Sequence, residues 1–425
     1  MRSLMRSFAL AAAGTLMLAV GARVAEAAPT TLTLWENYGT EVNATATRDL
    51  VKAFEAGHPG ITINVVSQPA DNYFALLTAA TMARKAPDLA VMWTGLFALK
   101  YRHLLSNLSP LLPAAALKEM IGLQWSAADF DPAKGVYVVP LEDQFYIGFY
   151  NKALFQKAGL GGPPRTWSEL EQDCAKLKAA GITPMLYGSG SQNLNAEFYP
   201  YYDLSYLMAG IYALPQWKGL YDGSIPWTTP AIESQVQRWA DLRAKGYTNA
   251  NVLTTNNTIA RFANGEAAMI VKGNWNLQQL YDTLGKDLGV FVPPYAEHPM
   301  QAVIQFPGDG FSIIRTSRHK KEAASFLAFL MSAQGQKIVA DAGLVPDREG
   351  FTATNPLYHQ LLGLTGQGYT AYPMIDNVIQ PSVVDVGSKV LTAAFAGQMT
   401  VDSALGKMKA ELMTLPSDQR GTAYR

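Results

Sequence analysis

The chain has 425 residues, 49% of them hydrophobic and 16% charged, enough to build two domains with sizeable cores. Lys and Arg together number 34, as do Asp and Glu, so there is no net basic field to attract a phosphate backbone, and nucleic acid is excluded as a partner. The single cysteine, Cys174, excludes an intramolecular disulfide and any cysteine-built metal cluster.

Arg2 and Arg6 precede an apolar run from Phe8 to Val20, which leads to a small-x-small site at Ala25-Glu26-Ala27. This is the layout of a secretory signal peptide over residues 1–27, cleaved after Ala27. The run is shorter than the roughly 20 residues of a spanning helix, and Arg23 follows it. No cysteine stands at the site to accept a lipid, and no later stretch is long and apolar enough to span a bilayer. The mature protein is therefore expected to be exported, soluble and periplasmic. Loss of Arg2, Arg6, Arg23 and Glu26 leaves it mildly acidic.

Thr31 to Trp35 alternates at period two and predicts a strand, and Leu50, Val51 and Phe54 share a face of a helix over Ala46 to Ala56 that Gly57 and Pro59 end. A strand from Ile61 to Val66, a helix from about Asn72 to Arg84 and a continuous apolar strand, Leu89 to Trp93, complete a β-α-β-α-β run. That alternation implies parallel strands with right-handed crossovers, and ligands of such sheets bind beyond the strands' carboxyl ends. Those ends are Glu36–Glu41 and Thr94–Phe97. Further on, Val136–Val139 and Tyr146–Tyr150 read as strands around Pro140-Leu141-Glu142-Asp143, a stretch able to cross between lobes. A helix capped at Ser168 places Leu170, Cys174 and Leu177 on one face, which makes Cys174 a packing residue. Helical segments follow in the aromatic-rich span Phe198–Tyr221 and over Ile232–Lys245, Lys320–Met331 and Val383–Ala396, with a buried strand at Ala268–Val271.

Chemistry is sparse. The five histidines, His58, His103, His298, His319 and His359, show no metal-ligand spacing, and Gly188-Ser189-Gly190-Ser191 lacks the glycine and lysine offsets of a phosphate loop, so a plain turn is the reading there. No GxSxG elbow is present. Seven carboxylates, Glu36, Glu41, Glu142, Asp143, Glu197, Asp309 and Asp376, fall in predicted loops; most are expected to be solvated. Several have aromatic company: Tyr38 beside Glu36 and Glu41, Tyr146 beside Asp143, and Tyr199 beside Glu197, while Trp275 follows Asn274 and Trp93 ends a strand. Carboxylates and amides accept from hydroxyls, and flat rings cover the C–H face of a pyranose. The pattern suits a neutral polyhydroxylated ligand.

Several segments, Leu50-Val51-Lys52-Ala53-Phe54-Glu55-Ala56-Gly57-His58-Pro59-Gly60-Ile61, Ala86-Pro87-Asp88-Leu89-Ala90-Val91-Met92, Tyr150-Asn151-Lys152-Ala153-Leu154-Phe155, Pro164-Arg165-Thr166-Trp167-Ser168-Glu169-Leu170, Phe262-Ala263-Asn264-Gly265-Glu266-Ala267-Ala268-Met269 and Glu322 to Leu330, occur in this order. In number and order they resemble the extracellular solute-binding proteins of ABC importers, in the sugar-binding branch that includes maltodextrin-binding proteins. The resemblance runs from the signal peptide to about Leu412. It implies an α/β fold of two lobes with a ligand cleft between them, closed by a hinge, no enzymatic activity, no cofactor and no metal.

By the same resemblance, ligand contacts map onto Glu36, Tyr38 and Glu41 after the first strand, Trp93 and Thr94 after the third, Glu197 and Tyr199 in the second lobe, Asn274 and Trp275 after the NGEAAM segment, and Asp309. The maltodextrin branch has an acidic contact six residues before the tyrosine of Tyr150-Asn151-Lys152; Gln144 stands there, with Asp143 adjacent. Lobe 1 is expected over 28–142 and 293–345, and lobe 2 over 143–292 and 346–425, with crossings near Pro140–Asp143 and Val292–Tyr295. The implied function is capture of a di- or oligosaccharide by a monomer that delivers it to a membrane permease. A glycerol-phosphate or polyol receptor is the alternative, and a secreted carboxylate-pair glycosidase the reading from another class.

Overall fold

Threonines alternate with Leu32 and Leu34 in the first strand, β1 (Thr30–Glu36), so one edge of the pleat is buried and the chain is held at period two. The computed structural model describes residues 29–39, 42–69, 72–127, 130–188, 200–348, 350 and 354–420. β1 lies between β2 (Ile61–Ser67) and β3 (Leu89–Trp93), parallel to both. Its crossover is the helix Val42–Gly57, which buries Leu50, Val51 and Phe54; the helix Tyr73–Met82 links β2 to β3. β3 is apolar throughout because it is covered on both faces, Leu89 to Met92 being fully buried. Asp88, at its entry, explains one recurring segment. Its carboxylate accepts from the Thr33 backbone N–H at 3.0 Å and from Ser317 Oγ at 2.6 Å, tying the start of β3 to β1 and to the chain after the last strand of this sheet.

The chain leaves this sheet through β4 (Val139–Pro140) and enters a second through β5 (Asp143–Asn151), with only Leu141 and Glu142 between. β5 pairs antiparallel with β6 (Met269–Gly273), β7 (Leu288–Phe291) and β8 (Ala302–Pro307), and β10 (Thr370–Tyr372) runs parallel to β8. After the single residue Gly308 the chain is back in the first sheet as β9 (Asp309–Ile313), antiparallel to both β3 and β4. The first sheet therefore has the order β2-β1-β3-β9-β4. The return crossing lies at Gly308 and not near Val292–Tyr295, because residues 304–307 still pair with β5, registering Pro307 opposite Asp143. The expected lobe boundary at residue 293 moves with it. A third crossing follows the helix Ala333–Asp341: Leu344 packs in the first lobe's core and Val345 in the second's.

The first lobe's core forms around Leu34, Phe54, Met92, Phe311 and Phe326; the Phe54 and Phe326 rings meet edge-on at 5.4 Å as the helix Lys320–Leu330 packs beside Val42–Gly57. The second lobe covers both faces of its sheet. The helices Trp167–Ala179, Tyr201–Ala209, Pro230–Ala244, Pro381–Phe395 and Val401–Thr414 bury one face, and Phe262, Leu277, Leu280, Tyr358 and Leu361 the other. Cys174 is fully buried on the first of these helices, and burial pushes its thiol far above the ordinary range, so it is inert packing. Two local expectations need correction. The cap of that helix is Thr166, whose Oγ1 accepts from the Glu169 N–H at 3.2 Å, one turn-start earlier than Ser168. The strand expected over Val136–Val139 shrinks to Val139–Pro140, since Val136 bridges Ala127 instead of a sheet neighbour.

Candidate functional site

Strand order turns over at β1, so the carboxyl ends of β1 and β3 open into the crevice that such sheets use for ligands. Glu36 ends β1. Its carboxylate accepts from the Tyr38 N–H at 2.5 Å, folding the loop back so that the Tyr38 ring is buried. Tyr38 Oη has no hydrogen-bond partner among the described residues. Trp93 ends β3 and stands in register with Asp309 across the β3–β9 ladder, so both sit at one edge of the sheet. The Trp93 ring is half-buried in a cluster with Phe74 at 4.8 Å and Phe97 at 4.9 Å, both edge-on, and Phe74 stacks on Tyr101 at 4.9 Å.

The second lobe answers with its own aromatic group. Tyr146, on β5, meets Tyr202 at 5.1 Å, the edge of Trp275 at 5.4 Å and the face of Phe306 at 5.6 Å. Trp275 can reach this position because the residue two before it is a glycine: a Cβ at Gly273 would stand 1.9 Å from the indole. The indole is half-buried.

Electrostatics ties the two groups together. Burial pushes the Tyr38 phenol well above its usual range, and the charges of Asp309, Glu142 and Glu36 add to the effect. Tyr146 is pushed the same way by burial first, then by Asp376, Asp309 and Glu142. Asp309 is therefore close enough to act on a phenol from each lobe, and Asp376 belongs to the same field. Both phenols stay protonated donors among carboxylate acceptors. The lobes also touch directly. Gly95, in the turn after β3 with φ +71°, lies so near Asn377 of the second lobe that a Cβ would stand 2.3 Å from its carbonyl oxygen.

Of the residues expected from sequence, Glu36, Tyr38, Trp93 and Asp309 stand at one edge of the first sheet, and Trp275 stands beside Tyr146 in the second lobe. Thr94, Asp143, Gln144 and Asn274 are built into the frame. The Thr94 hydroxyl donates to the Pro307 carbonyl at 2.6 Å. Gln144 Nε2 donates to Glu142 Oε1 at 3.2 Å, and Asp143 Oδ2 accepts from Gln305 Nε2 at 2.5 Å. Asn274 accepts from the Phe145 N–H at 3.0 Å and donates to the Asp143 carbonyl at 3.3 Å, so its amide closes the end of β5. Glu41, Glu197 and Tyr199 lie outside the described residues. Sequence reasoning left Tyr202, Phe306 and Asp376 off the candidate set. Asp376 stood among the loop carboxylates and Tyr202 in the aromatic-rich span, but no local signal marked which ring would face Tyr146.

Two α/β lobes joined at three crossings, with a crevice of paired aromatic groups and carboxylates between them, define a binding protein that takes its ligand between lobes. The chain belongs to the bacterial extracellular solute-binding proteins, the substrate-binding components of ABC transporters; the family profile matches residues 38–337. Relatives include a binding protein of Brucella abortus (strain 2308), 26% identical over 304 residues that cover 70% of this chain and 71% of that protein. Another is the sn-glycerol-3-phosphate-binding periplasmic protein UgpB of Yersinia enterocolitica, 26% identical over 301 residues covering 63% and 64% of the two chains. Among solved structures, a chitin oligosaccharide binding protein superposes with a TM-score of 0.80 at 24% identity, covering 91% of this chain and 98% of that one. Maltose-bound MalE3 of T. maritima does so at 0.74 and 21%, covering 91% and 100%. At these identities the likeness establishes the fold.

Proposed function

We propose that this protein, exported after cleavage behind Ala27, captures a neutral di- or oligosaccharide between its lobes by hinge closure and hands it to a membrane permease. The observation that carries this is that Asp309, in register with Trp93 at the edge of the first sheet, acts by its charge on Tyr38 in one lobe and on Tyr146, beside Trp275, in the other, so that rings, phenols and carboxylates of both lobes share one field. Rings take the apolar faces of pyranoses; carboxylates and phenols take their hydroxyls. Sugar-binding structures of the same fold, one binding chitin oligosaccharide and one maltose, support the same class. Glu36, Tyr38, Trp93, Asp309, Tyr146, Tyr202, Trp275 and Asp376 are the contacts this reading assigns.

A glycerol-phosphate ligand is the second reading, favoured by the UgpB relative and by Lys272, whose ammonium lies 5.8 Å from the centre of the Tyr202 ring. The field of carboxylates felt by Tyr38 and Tyr146 opposes it, since a phosphate would bring further negative charge among them. A thermal-shift panel of mono-, di- and oligosaccharides, polyols and sn-glycerol 3-phosphate separates the two, because a ligand that binds only the native state raises the unfolding temperature. The expected hit is an oligosaccharide recovered intact from the complex. A shift with glycerol phosphate alone would replace the reading, and recovery of shortened sugar would make the protein a glycosidase. Tyr38→Phe removes only the partnerless hydroxyl; affinity for the hit is expected to fall by about 0.5–1.5 kcal/mol with stability unchanged.

A further inference from the structure

We propose that Glu142, Asp143 and Asp347 form a proton-binding site inside the hinge, and that closure of the lobes takes up a proton there. The inference rests on hinge bending between the lobes and not on which ligand they enclose.

The three crossings are bonded into one bundle. Gly308 donates its N–H to the Glu142 carbonyl at 2.9 Å, Leu141 to the Asp309 carbonyl at 2.8 Å, and Asp143 to the Val345 carbonyl at 2.9 Å. The Asp347 carbonyl accepts from the Ile121 N–H at 3.1 Å, fastening the third crossing to the first lobe. Inside this bundle the exposure of Glu142, Asp143 and Asp347 is 0%, 1% and 0%. Glu142 Oε1 accepts from Asn43 Nδ2 at 2.6 Å, and Asp143 Oδ2 accepts from Gln305. Among the described residues, Asp143 Oδ1 and both carboxylate oxygens of Asp347 have no hydrogen-bond partner.

Around them stand amides and acids. Asn43 comes from the helix after β1, Gln144 from β5 and Gln305 from β8. The phenols of Tyr38, Tyr146 and Tyr358 each feel the charge of Glu142, and Tyr38 and Tyr146 feel Asp309 from the second crossing as well. The basic side chain next in sequence, Arg348, is bonded to Glu119 and, at 2.8 Å, to the Met331 carbonyl.

A buried carboxylate without donors is costly to ionise, and neighbouring like charges raise the cost further. Burial holds the Asp347 carboxyl well above its ordinary range, with Asp143 and Glu142 adding to it, and burial takes Asp143 to about 7 against the lowering effect of its hydrogen bond from Gln305. A proton on one acid removes a charge and supplies a donor. On this proposal the open state admits water to these groups, which returns them toward ordinary acidity. Protons therefore favour the closed state, and the closed fraction rises as pH falls through about 7 and levels off in the ordinary carboxylate range.

Spin labels on Lys85→Cys and Lys157→Cys, exposed positions in different lobes, report the open and closed populations by pulsed electron resonance in the ligand-free protein. Between about pH 8.5 and 5.5 the closed-to-open ratio is expected to rise at least about fivefold, and less than about twofold with Asp347→Asn. An unchanged ratio, or the same rise in Asp347→Asn, overturns the proposal. Should Asp347→Asn not fold, infrared spectra of the wild type and Asp143→Asn decide: a protonated-carboxyl band near pH 6.5 that weakens in Asp143→Asn supports the shared proton, and an identical band in both overturns it. No sugar enters either measurement, so neither outcome bears on the carbohydrate reading.

Discussion

Trp275 shows how a single residue's role is decided by its neighbours. Its separation by Lys272, Gly273 and Asn274 from the buried strand expected over Ala268–Val271 points to a ring brought out at a strand end; β6 runs on to Gly273, and that glycine makes room for the ring. A ring whose loss empties a core costs about 3–5 kcal/mol, but this one is half-buried and braced mainly at its edge by Tyr146. Trp275→Ala is expected to unfold within about 2 kcal/mol of the wild type in urea and to lose about 2 kcal/mol of sugar affinity by calorimetry, near thirtyfold. A variant as unstable as a core deletion would move the ring out of the site. The neighbouring Asn274 makes the contrast. Sequence placed both residues at the ligand, but an amide offers a donor and an acceptor together, and the end of β5 uses both. Residue type and spacing therefore do not separate a group that faces a ligand from one that holds the frame, because that depends on which backbone groups the next strand leaves unpaired.

At the scale of elements, the segments read most clearly are those whose pattern follows from burial on one face or both: β1, β3 and the helices Val42–Gly57, Pro230–Ala244, Lys320–Leu330 and Pro381–Phe395. β8 and β9 were harder. They are two short strands joined by one residue and belonging to different sheets, so no local period marks the change of partner. That is why the return crossing, expected near Val292–Tyr295, is found at Gly308. Recurring family segments carry a local reason as well. In Tyr150-Asn151-Lys152 the asparagine ends β5 and caps the helix Lys152–Lys157, its Oδ1 accepting from the Leu154 N–H at 3.1 Å. Asn151→Ala is expected to cost about 1 kcal/mol in urea unfolding, and Asn151→Asp or Asn151→Ser to recover most of it, since each restores an acceptor at the cap. Equal losses in all three variants would mean that the asparagine acts through something other than the cap.

For the whole molecule, the arrangement that creates a crevice also buries acids. Asp143 sits in the hinge, and Asp203 lies in the second lobe's core, where it accepts from the hydroxyls of Tyr295 and, at 3.4 Å, Tyr187; burial nonetheless takes each to about 7, above an ordinary value near 4. Asp347 is shifted in the same direction. In each case the folded state holds its proton more tightly than the unfolded chain. The stability this gives is fully present below the unfolded value and is lost as pH rises through the folded value, so for Asp143 and Asp203 the loss accumulates from about pH 4 to about 7 and then stops. Surface carboxylates such as Glu171 and Glu297, held low by hydrogen bonds and charge from Arg238, work in the opposite sense, but their contribution is complete above the ordinary carboxylate range and stays constant over the same interval. Raising pH from about 5 to 8 should therefore lower the free energy of unfolding, by on the order of 2–3 kcal/mol for each of Asp143 and Asp203, in urea titrations of the ligand-free protein. Asp143→Asn should flatten that slope by its own share. Stability that climbs with pH across this interval would mean that water reaches these acids in the folded chain, and the buried hinge with them.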